Sequence, residues 1–473
     1  MEELKCPVYK KCSGCQLRNM SYEESLRFKE IQVVRLMGKL CRVSPIIGME
    51  NPYHYRSKVQ SAFKLRGNAV VSGVYQSATG NIVPVDDCLL DDIIADKIIC
   101  SIRKLAVSMK IPVYNERTGR GFLKHVMIRR GFATNEIMVV IVAADGDFPS
   151  KTNFIRELTK LYPDIKSIVL NVNTNPDKML LSRNEKVIYG ENCIEDIICG
   201  ERFKISAGSF CQVNPVQTEK LYSRAIELAD LDKKSIVLDA YCGIGTIGII
   251  ASRHAGHVYG VEINRAAVED AKKNAALNNI DNVDFVCADA GKFLVEMKNR
   301  NVSCDAAFLD PARAGCDRRF LSSLIYLAPK KIVYISCNPE TQARDVFFLI
   351  QNGYKLKKLC PVDMFPFTRH VECVALLSKL KSDQHIEVEL KTDELDLTSA
   401  ESKATYDEIK AYVKKHSGLT VSSLNIAQVK QKYGIIERKN YNKAKTKDSR
   451  QPKCTEEKEE AIVEALKWFK MIG

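Results

Sequence analysis

The chain has 473 residues, 45% of them hydrophobic, which is enough for two to four domains with apolar cores. Its net charge of +13 favours an anionic partner, with nucleic acid as the first candidate. No signal peptide and no apolar stretch of the roughly 20 residues that a membrane helix needs can be recognised, so we expect a cytoplasmic protein without a membrane anchor. Disulfides are rare in that compartment, so clustered cysteines are candidates for metal binding or catalysis.

Residues 1–205 are predicted to form an α+β domain. A polar helix begins near Ser21, and residues 53–87 have the alternation and turn residues of an antiparallel meander. Further strands are predicted over 122–130, 136–143 and 165–172, with a helix over about 150–161.

Residues 206–380 change to alternating strands and helices, which is typical of a doubly wound parallel sheet. The predicted strands cover 236–240, 257–262, 283–287, 305–310 and 331–336, and the pair 355–363 and 372–378 forms an edge hairpin. Residues 381–401 are polar and acidic and are predicted to be a linker. Residues 402–473 are predicted to be a small helical module with a basic stretch from Lys430 to Lys453.

A glycine turn in the second domain suggests a nucleotide cofactor. Gly243-x-Gly245-x-x-Gly248 follows a strand, and Glu262 ends the next strand, as in a dinucleotide-binding dehydrogenase. However, Asp239, Glu262, Asp289 and Asp310 stand at four successive strand ends. Four acids suit a cationic cofactor better than a pyrophosphate, so we favour S-adenosylmethionine over NAD.

Cys337 follows an apolar strand and precedes an Asn-Pro turn, where a thiol could act as a nucleophile beside the cofactor. A buried structural cysteine is about equally consistent with this position. A methyltransferase needs such a thiol to activate C5 of a pyrimidine, and a base must then remove the C5 proton. Glu372 is the candidate base, although an exposed acid on an edge strand would look the same in the sequence.

Five motifs in order resemble the RNA uracil-5-methyltransferase family: Ser209-Phe-Cys-Gln-Val-Asn-Pro215, Asp239-Ala-Tyr-Cys-Gly-Ile-Gly-Thr246, Asp310-Pro-Ala-Arg-Ala-Gly315, Ser336-Cys-Asn-Pro339 and Thr368-Arg-His-Val-Glu372. The resemblance covers about residues 1–380. It implies a Rossmann-like methyltransferase domain with Cys337 as nucleophile and Glu372 as base. The implied cofactor contacts are Gln212, Tyr241, Glu262 and Asp310, assisted by Thr246 and Asp289. Phe210 would stack on the flipped uracil, and Arg313 would lie near the site.

Four cysteines of the first domain, Cys6, Cys12, Cys15 and Cys88, suit zinc or an iron–sulfur cluster almost equally by spacing alone. The spacing resembles the 23S rRNA branch of the family, which carries a [4Fe–4S] cluster. That resemblance implies an rRNA substrate rather than tRNA and an enzyme that acts as a monomer. The tRNA-modifying enzymes and a catalytically silent RNA-binding protein are the alternatives.

Basic and aromatic residues of the first domain are predicted to contact RNA phosphates and splayed bases. They are Tyr55, Arg56, Lys58, Lys64 and Arg66 on the meander, and Arg117, Arg120, Lys124, His125, Arg129 and Arg130 further along.

Overall fold

A computed structural model describes residues 4–67, 69–76, 79–174, 181–380, 406–433 and 454–468. The chain divides into two compact units, Met1–His385 and Ile386–Gly473. The predicted linker over 381–401 and most of the basic stretch from Lys430 to Lys453 lie outside the described residues. The domain boundary predicted at residue 205 falls inside the first unit and stays a prediction.

The first unit begins with a helix, α1, and a seven-stranded sheet in the order β3-β2-β1-β4-β5-β6-β7. The elements are α1 (Tyr22–Met37), β1 (Lys58–Arg66), β2 (Ala69–Tyr75), β3 (Ile82–Pro84), α2 (Ile93–Ser108), β4 (Leu123–Arg130), β5 (Ile137–Ala143), α3 (Lys151–Leu161), β6 (Ile165–Val172) and β7 (Glu185–Gly190). The predicted meander and the later strands are confirmed. All neighbours are antiparallel except β5 and β6, which α3 connects as a parallel pair.

A separate hairpin and a helix lead to the second sheet. The hairpin pairs β8 (Cys193–Ile198) with β9 (Glu201–Ser206). Its two-residue turn has positive φ at both Cys199 and Gly200, which matches the twist that a tight hairpin needs. The helix is α4 (Pro215–Ala229), capped by the side chain of Asn214.

The second sheet has the order β12-β11-β10-β13-β14-β16-β15, parallel except for β16. Its elements are β10 (Ile236–Ala240), α5 (Thr246–Ser252), β11 (His257–Glu262), α6 (Arg265–Leu277), β12 (Val283–Cys287), α7 (Ala290–Asn299), β13 (Ala306–Leu309), α8 (Arg318–Leu327), β14 (Lys331–Ser336), α9 (Pro339–Gln351), β15 (Tyr354–Val362) and β16 (Glu372–Lys379). The predicted α/β sheet is therefore confirmed. Its central strands are buried apolar runs, because helices cover both faces.

The amino-terminal segment packs on the second sheet rather than on the first. Helix α1 contacts α9, and its buried Val33 and Met37 belong to the apolar cluster around β13 and β14. Beyond the helix, Val43 and Ile47 make single bridges to β15. Before the helix, Leu17 donates its amide to the Phe367 carbonyl at 3.0 Å, which places the end of the cysteine segment beside the chain between β15 and β16.

The second unit is helical in its described part. It contains α10 (Tyr406–Ser417), α11 (Ser423–Lys432) and α12 (Glu456–Trp468). The three helices share a small apolar core that includes Val413, Ile426 and Ile462. None of the helices in the described ranges of the chain is long and apolar enough to cross a membrane.

Candidate active site

The predicted cofactor loop joins β10 to α5 and is shaped by its glycines. Gly243 and Gly245 have positive φ, at 55° and 83°. A Cβ at Gly245 would lie 2.6 Å from the ring of Phe285, so only glycine fits there. Around Gly243 the space is open, because nothing lies within 4 Å of a Cβ built at this position. The loop therefore exposes backbone where a cofactor could approach closely.

Two carboxylates hold this loop by accepting hydrogen bonds from its backbone amides. Asp239 is buried, and its Oδ2 accepts a hydrogen bond of 2.7 Å from the Gly248 amide, whereas its Oδ1 has no partner. Glu262 ends β11 and accepts from the amides of Gly243 (3.3 Å) and Asn264 (2.8 Å). Both acids are thus fixed at the carboxyl edge of the sheet, where ligands bind in open α/β folds.

The other predicted cofactor residues lie at the same edge, with one exception. Tyr241 has φ of 65° and packs its ring on Phe320 at 5.0 Å, and Thr246 is the first residue of α5. Asp289 is exposed beyond β12, where it accepts from the Lys292 amide as the N-cap of α7. Gln212 instead lines a small cavity beside β1 and β4.

Burial disfavours the ionised forms of two carboxyl groups at this edge. Burial raises the pKa of Asp310 to about 7. Burial, with smaller contributions from Asp310 and Glu262, raises the pKa of Asp239 to about 8. Among the described residues, none of these acids has an ion-pair partner. Buried acids without a cationic partner, together with the orphaned Asp239 Oδ1, fit a cationic cofactor such as S-adenosylmethionine, because its charge would favour their ionised forms.

The strand pairing brings the candidate nucleophile and base together. Ser336 pairs with Cys373 in the antiparallel ladder of β14 and β16. The residue after Ser336 is Cys337 and the residue before Cys373 is Glu372, so these two lie opposite each other at the end of the ladder. Glu372 is only 2% exposed, because β16 lies between β14 and β15. It is therefore not the exposed edge-strand acid that the sequence also allowed.

The titrating groups of this pair influence each other. Burial, followed by the charges of Glu372 and Asp310, raises the pKa of the Cys337 thiol to about 11, and Arg313 opposes the shift. Burial and Asp310 raise the pKa of Glu372 to about 8. A thiol and two carboxylates thus share one partly desolvated site.

Three side chains that sequence reasoning did not single out hold this geometry. Gln342 Nε2 donates to the carbonyls of Tyr334 (2.8 Å) and Cys373 (3.1 Å), which ties β14 to β16. Asn338 caps α9 through the Glu340 amide and donates to the Arg313 carbonyl at 3.3 Å. Buried Asp345 accepts from the Tyr334 hydroxyl and the Cys316 amide, which fixes the loop that contains Arg313. At Asn338 the sequence predicted a turn but not the cap, and nothing in the sequence indicated the hydrogen bonds of Gln342 and Asp345 from the middle of α9.

Phe210 has the exposure that stacking on a base requires. Its side chain is 71% exposed in the segment between β9 and α4. Arg129 supports this segment from beneath by donating from Nη2 to the carbonyls of Ala207 and Ser209.

The four cysteines share a neighbourhood without forming a ligand set. Burial is the largest cause that raises the pKa of Cys15 to about 11, and nearby Cys12 and Cys6 add to this shift. Cys15 and Cys88 pack against the same cluster of Tyr55, Leu90 and Phe367. Even so, in the described part of the chain no three His, Cys, Asp or Glu side chains are placed to hold a metal ion. The donors as placed do not fit the cluster.

Part of the predicted RNA face is wrong. Tyr55 is 2% exposed in the core, and Arg129 is 4% exposed. Arg56 and Arg130 form ion pairs with Asp91 (3.5 Å) and Asp92 (2.6 Å), respectively. The residues that remain fully exposed are Lys64, Arg66, Arg117 and Arg120. Tyr55 and Arg56 precede β1, and Arg129 and Arg130 end β4, where all four contact other elements of the protein.

Known proteins resemble the chain over most of its length. The family model for tRNA (uracil-5-)-methyltransferase matches residues 153–380. An uncharacterized RNA methyltransferase of Bacillus cereus is 41% identical over 80% of this chain and 84% of its own, and one of Oceanobacillus iheyensis is 44% identical over 79% and 82%. The crystal structure of Pyrococcus abyssi tRNA (uracil-54, C5)-methyltransferase with S-adenosyl-L-homocysteine superposes with a TM-score of 0.66 at 30% identity, covering 78% of this chain and 86% of that one. The chain therefore belongs to the RNA uracil-5-methyltransferase family of S-adenosylmethionine-dependent enzymes.

Proposed function

We propose that this protein methylates C5 of a specific uridine in 23S rRNA through a covalent adduct between Cys337 and C6 of the base. The observation that carries the proposal is the opposed placement of Cys337 and Glu372 across β14 and β16, beside the carboxylates of the cofactor edge. A structural cysteine would not need an acid buried against it.

The chemistry follows from the low reactivity of C5. S-adenosylmethionine, when bound, supplies an electrophilic methyl group. The Cys337 thiolate adds to C6, so the electron pair of the C5–C6 double bond moves to C5 and makes that carbon nucleophilic. After C5 has gained the methyl group, Glu372 removes the C5 proton, the double bond re-forms, and the C6–sulfur bond breaks to release the thiolate.

The pKa values suit these roles. A base with a pKa of about 8 can both accept and release a proton near neutral pH, which is the condition for efficient general base catalysis. The thiol is largely protonated in the protein alone, because burial and the two carboxylates disfavour its anion. Positive charge brought to the site by the cofactor would favour the thiolate, so we propose that activation of Cys337 is coupled to cofactor binding.

We assign the cofactor to the edge formed by Tyr241, Glu262 and Asp310, with Thr246 and Asp289 assisting. Gln212 is not part of this edge, because it lines the cavity beside β1 and β4. Glu262, fixed by two amides, would accept from ribose hydroxyls, as acids at this strand position do in nucleotide-binding folds. Among the residues of this edge, Asp310 is the one whose charge raises the pKa of both Cys337 and Glu372, so it would face the sulfonium.

The rRNA target rests on the cysteine spacing, and tRNA is the second candidate because the Pyrococcus abyssi relative is a tRNA (uracil-54, C5)-methyltransferase. The test incubates the protein, which we propose is monomeric, with S-adenosylmethionine and either 23S rRNA or tRNA from cells that lack the modification. Mass spectrometry of nucleosides should find 5-methyluridine in the rRNA. 5-Methyluridine in tRNA alone would transfer the proposal to tRNA, and its absence from both would refute it.

We further propose that Cys6, Cys12, Cys15 and Cys88 bind a [4Fe–4S] cluster. The support is the spacing of the four cysteines and the proximity of Cys6 and Cys12 to Cys15. Cys15 and Cys88 also pack against the same apolar cluster. The described side chains do not themselves form the ligand set, so the proposal requires them to rearrange around the metal. No step of the methylation passes through it.

A further inference from the structure

A small cavity lies where the first sheet meets the segment that contains Phe210. Its walls come from the start of β1, the end of β4, the β8–β9 hairpin and the start of α4. Three isoleucines of the hairpin, Ile194, Ile198 and Ile205, provide an apolar side. The opposite side is basic, with Lys58 and Arg129.

The two cations of this pocket have unused hydrogen-bond donors. Arg129 is 4% exposed, and its Nη2 is used by backbone carbonyls, but its Nε has no partner. Lys58 has no hydrogen-bond or ion-pair partner among the described residues, and burial, reinforced by Arg129, lowers its pKa to about 8. Burying two like charges side by side is unfavourable unless an anion joins them.

The other charged groups of the pocket do not supply that anion. Arg130 is paired with Asp92. Asp196 lines the cavity, but its Oδ1 accepts from the Ala133 amide at 2.9 Å, and Lys58 does not contact it. The Cys211 thiol is neutral, because burial raises its pKa to about 11.

We infer that Lys58 and Arg129 form a binding site for one backbone phosphate of the RNA substrate. The inference rests on the proposed function, because the pocket adjoins the segment of Phe210 and Gln212. Phosphate oxygens accept from both donors, and a phosphate held there would fix a nucleotide beside the exposed Phe210 ring. The pocket would thereby position the strand before the target uridine leaves its stack.

The test measures binding of 5′-fluorescein-labelled decauridine by anisotropy at several salt concentrations. Lys58→Ala should weaken binding by about tenfold or more, as expected for the loss of a charge-assisted hydrogen bond. The slope of log affinity against log salt should become shallower by about 0.7, the value for one phosphate on a single strand. Lys58→Arg should retain both values.

Lys64→Ala is the matched control, because Lys64 is an exposed lysine of the same strand outside the cavity. Its affinity should fall by less than that of Lys58→Ala. Lys58→Met, which keeps the apolar stem, replaces Lys58→Ala if melting curves show that the alanine variant is unstable. Equal losses for the Lys58 and Lys64 variants would overturn the inference.

Two parallel measurements separate the possible explanations. Titration with inorganic phosphate at constant ionic strength tests a free anion; Lys58-dependent phosphate binding with Lys58-independent decauridine binding would overturn the RNA assignment. Formation of 5-methyluridine by the wild type is assayed separately. If methylation occurs while decauridine binding ignores Lys58, the pocket fails and the proposed function stands. If decauridine binding depends on Lys58 but no methylation occurs, the pocket stands and the proposed function fails.

Discussion

Replacing Glu372 by glutamine should make Cys337 more reactive while stopping turnover. With a pKa of about 11, about one Cys337 thiol in a thousand is ionised at pH 8, compared with about one in ten for an ordinary cysteine of pKa 9.0. The ionised fraction is thus lowered by about 100-fold. Burial is the largest cause and persists in the variant, so removing the Glu372 charge should recover about threefold to tenfold.

The effect of Glu372→Gln on the reactivity of Cys337 should depend on pH, because only the ionised Glu372 carboxylate disfavours the thiolate. Glu372 has a pKa of about 8, so at pH 6.5 it is mostly protonated and does not oppose ionisation of the thiol. Above pH 8 it is charged, and its effect on Cys337 is complete. The acceleration caused by Glu372→Gln should therefore be small at pH 6.5 and grow as the pH rises through 8.

The assay is alkylation of the ligand-free protein by iodoacetamide, followed by mass spectrometry of the peptide that contains Cys337. Exposed Cys287 provides an internal reference. Glu340→Gln is the matched control, because it removes an exposed carboxylate three residues from Cys337 that does not influence the thiol. Equal labelling of the wild type and Glu372→Gln at pH 9, or equal acceleration by Glu340→Gln, would refute the electrostatic coupling.

The same variant tests the base. With RNA and S-adenosylmethionine it should add to the base and methylate it, then stall before elimination, because glutamine cannot take the C5 proton. A denaturation-resistant protein–RNA species should accumulate, and turnover should fall by about 10²–10⁴-fold. Near-normal turnover without this species would show that another group removes the proton.

The remaining predictions concern the nucleophile, the buried acid, the cysteines and the tail. Cys337→Ala should abolish 5-methyluridine formation but retain S-adenosylmethionine binding in equilibrium dialysis, and RNA with 5-fluorouridine should trap the wild type covalently; any turnover by the variant contradicts the mechanism. Asp239 has a folded pKa of about 8, far above that of an unfolded aspartate, so its contribution to stability is lost as pH rises from about 4 to 8. Asp239→Asn should therefore raise the melting temperature of the ligand-free protein more at pH 8 than at pH 5, and an equal shift at both would rule out ionisation as the cause. Protein purified without oxygen should contain iron and sulfide and lose visible absorbance in Cys12→Ala or Cys88→Ala, whereas a colourless preparation with one zinc would exclude the cluster. Ending the chain near Lys381 should weaken RNA affinity and its salt dependence without changing the rate at saturating RNA, and unchanged binding would exclude the tail from RNA contact.

The parallel sheet was predictable because its strands are buried on both faces. Such strands are short apolar runs bounded by turn residues, as in Ile236–Ala240 and Lys331–Ser336. Once that pattern is recognised, the topology places Asp239, Glu262 and Cys337 at one edge, since parallel strands end on the same side. The placement of these three residues at one edge therefore followed from the sequence.

What the sequence could not reveal depends on contacts between distant elements. Glu372 is buried because β16 inserts between β14 and β15, and no local pattern encodes that strand order. Tyr55 is an aromatic residue among basic ones, as on a nucleic-acid surface, but its packing against Phe367 buries it. Arg129 donates to the carbonyls before Phe210, which places it in the wall of a cavity rather than on an open face. Helix α2 was not predicted from the sequence, although Asp92 caps it. Its apolar residues lie between predicted strands and were not recognised as a separate helix.

The loop that leads from β15 to Glu372 is held by residues of the amino-terminal segment. Leu17 donates its amide to the Phe367 carbonyl at 3.0 Å, and the Arg18 guanidinium lies 4.4 Å from the Phe367 ring centroid. Buried Lys29 on α1 donates to Asp363 and to the Phe365 carbonyl (2.9 Å). An isolated buried charge is strongly unfavourable, so this pair fixes the register of α1 against the end of β15. The segment after the cysteines thus supports the loop that precedes Glu372, which explains why the cysteine segment and the methyltransferase sheet form one compact unit.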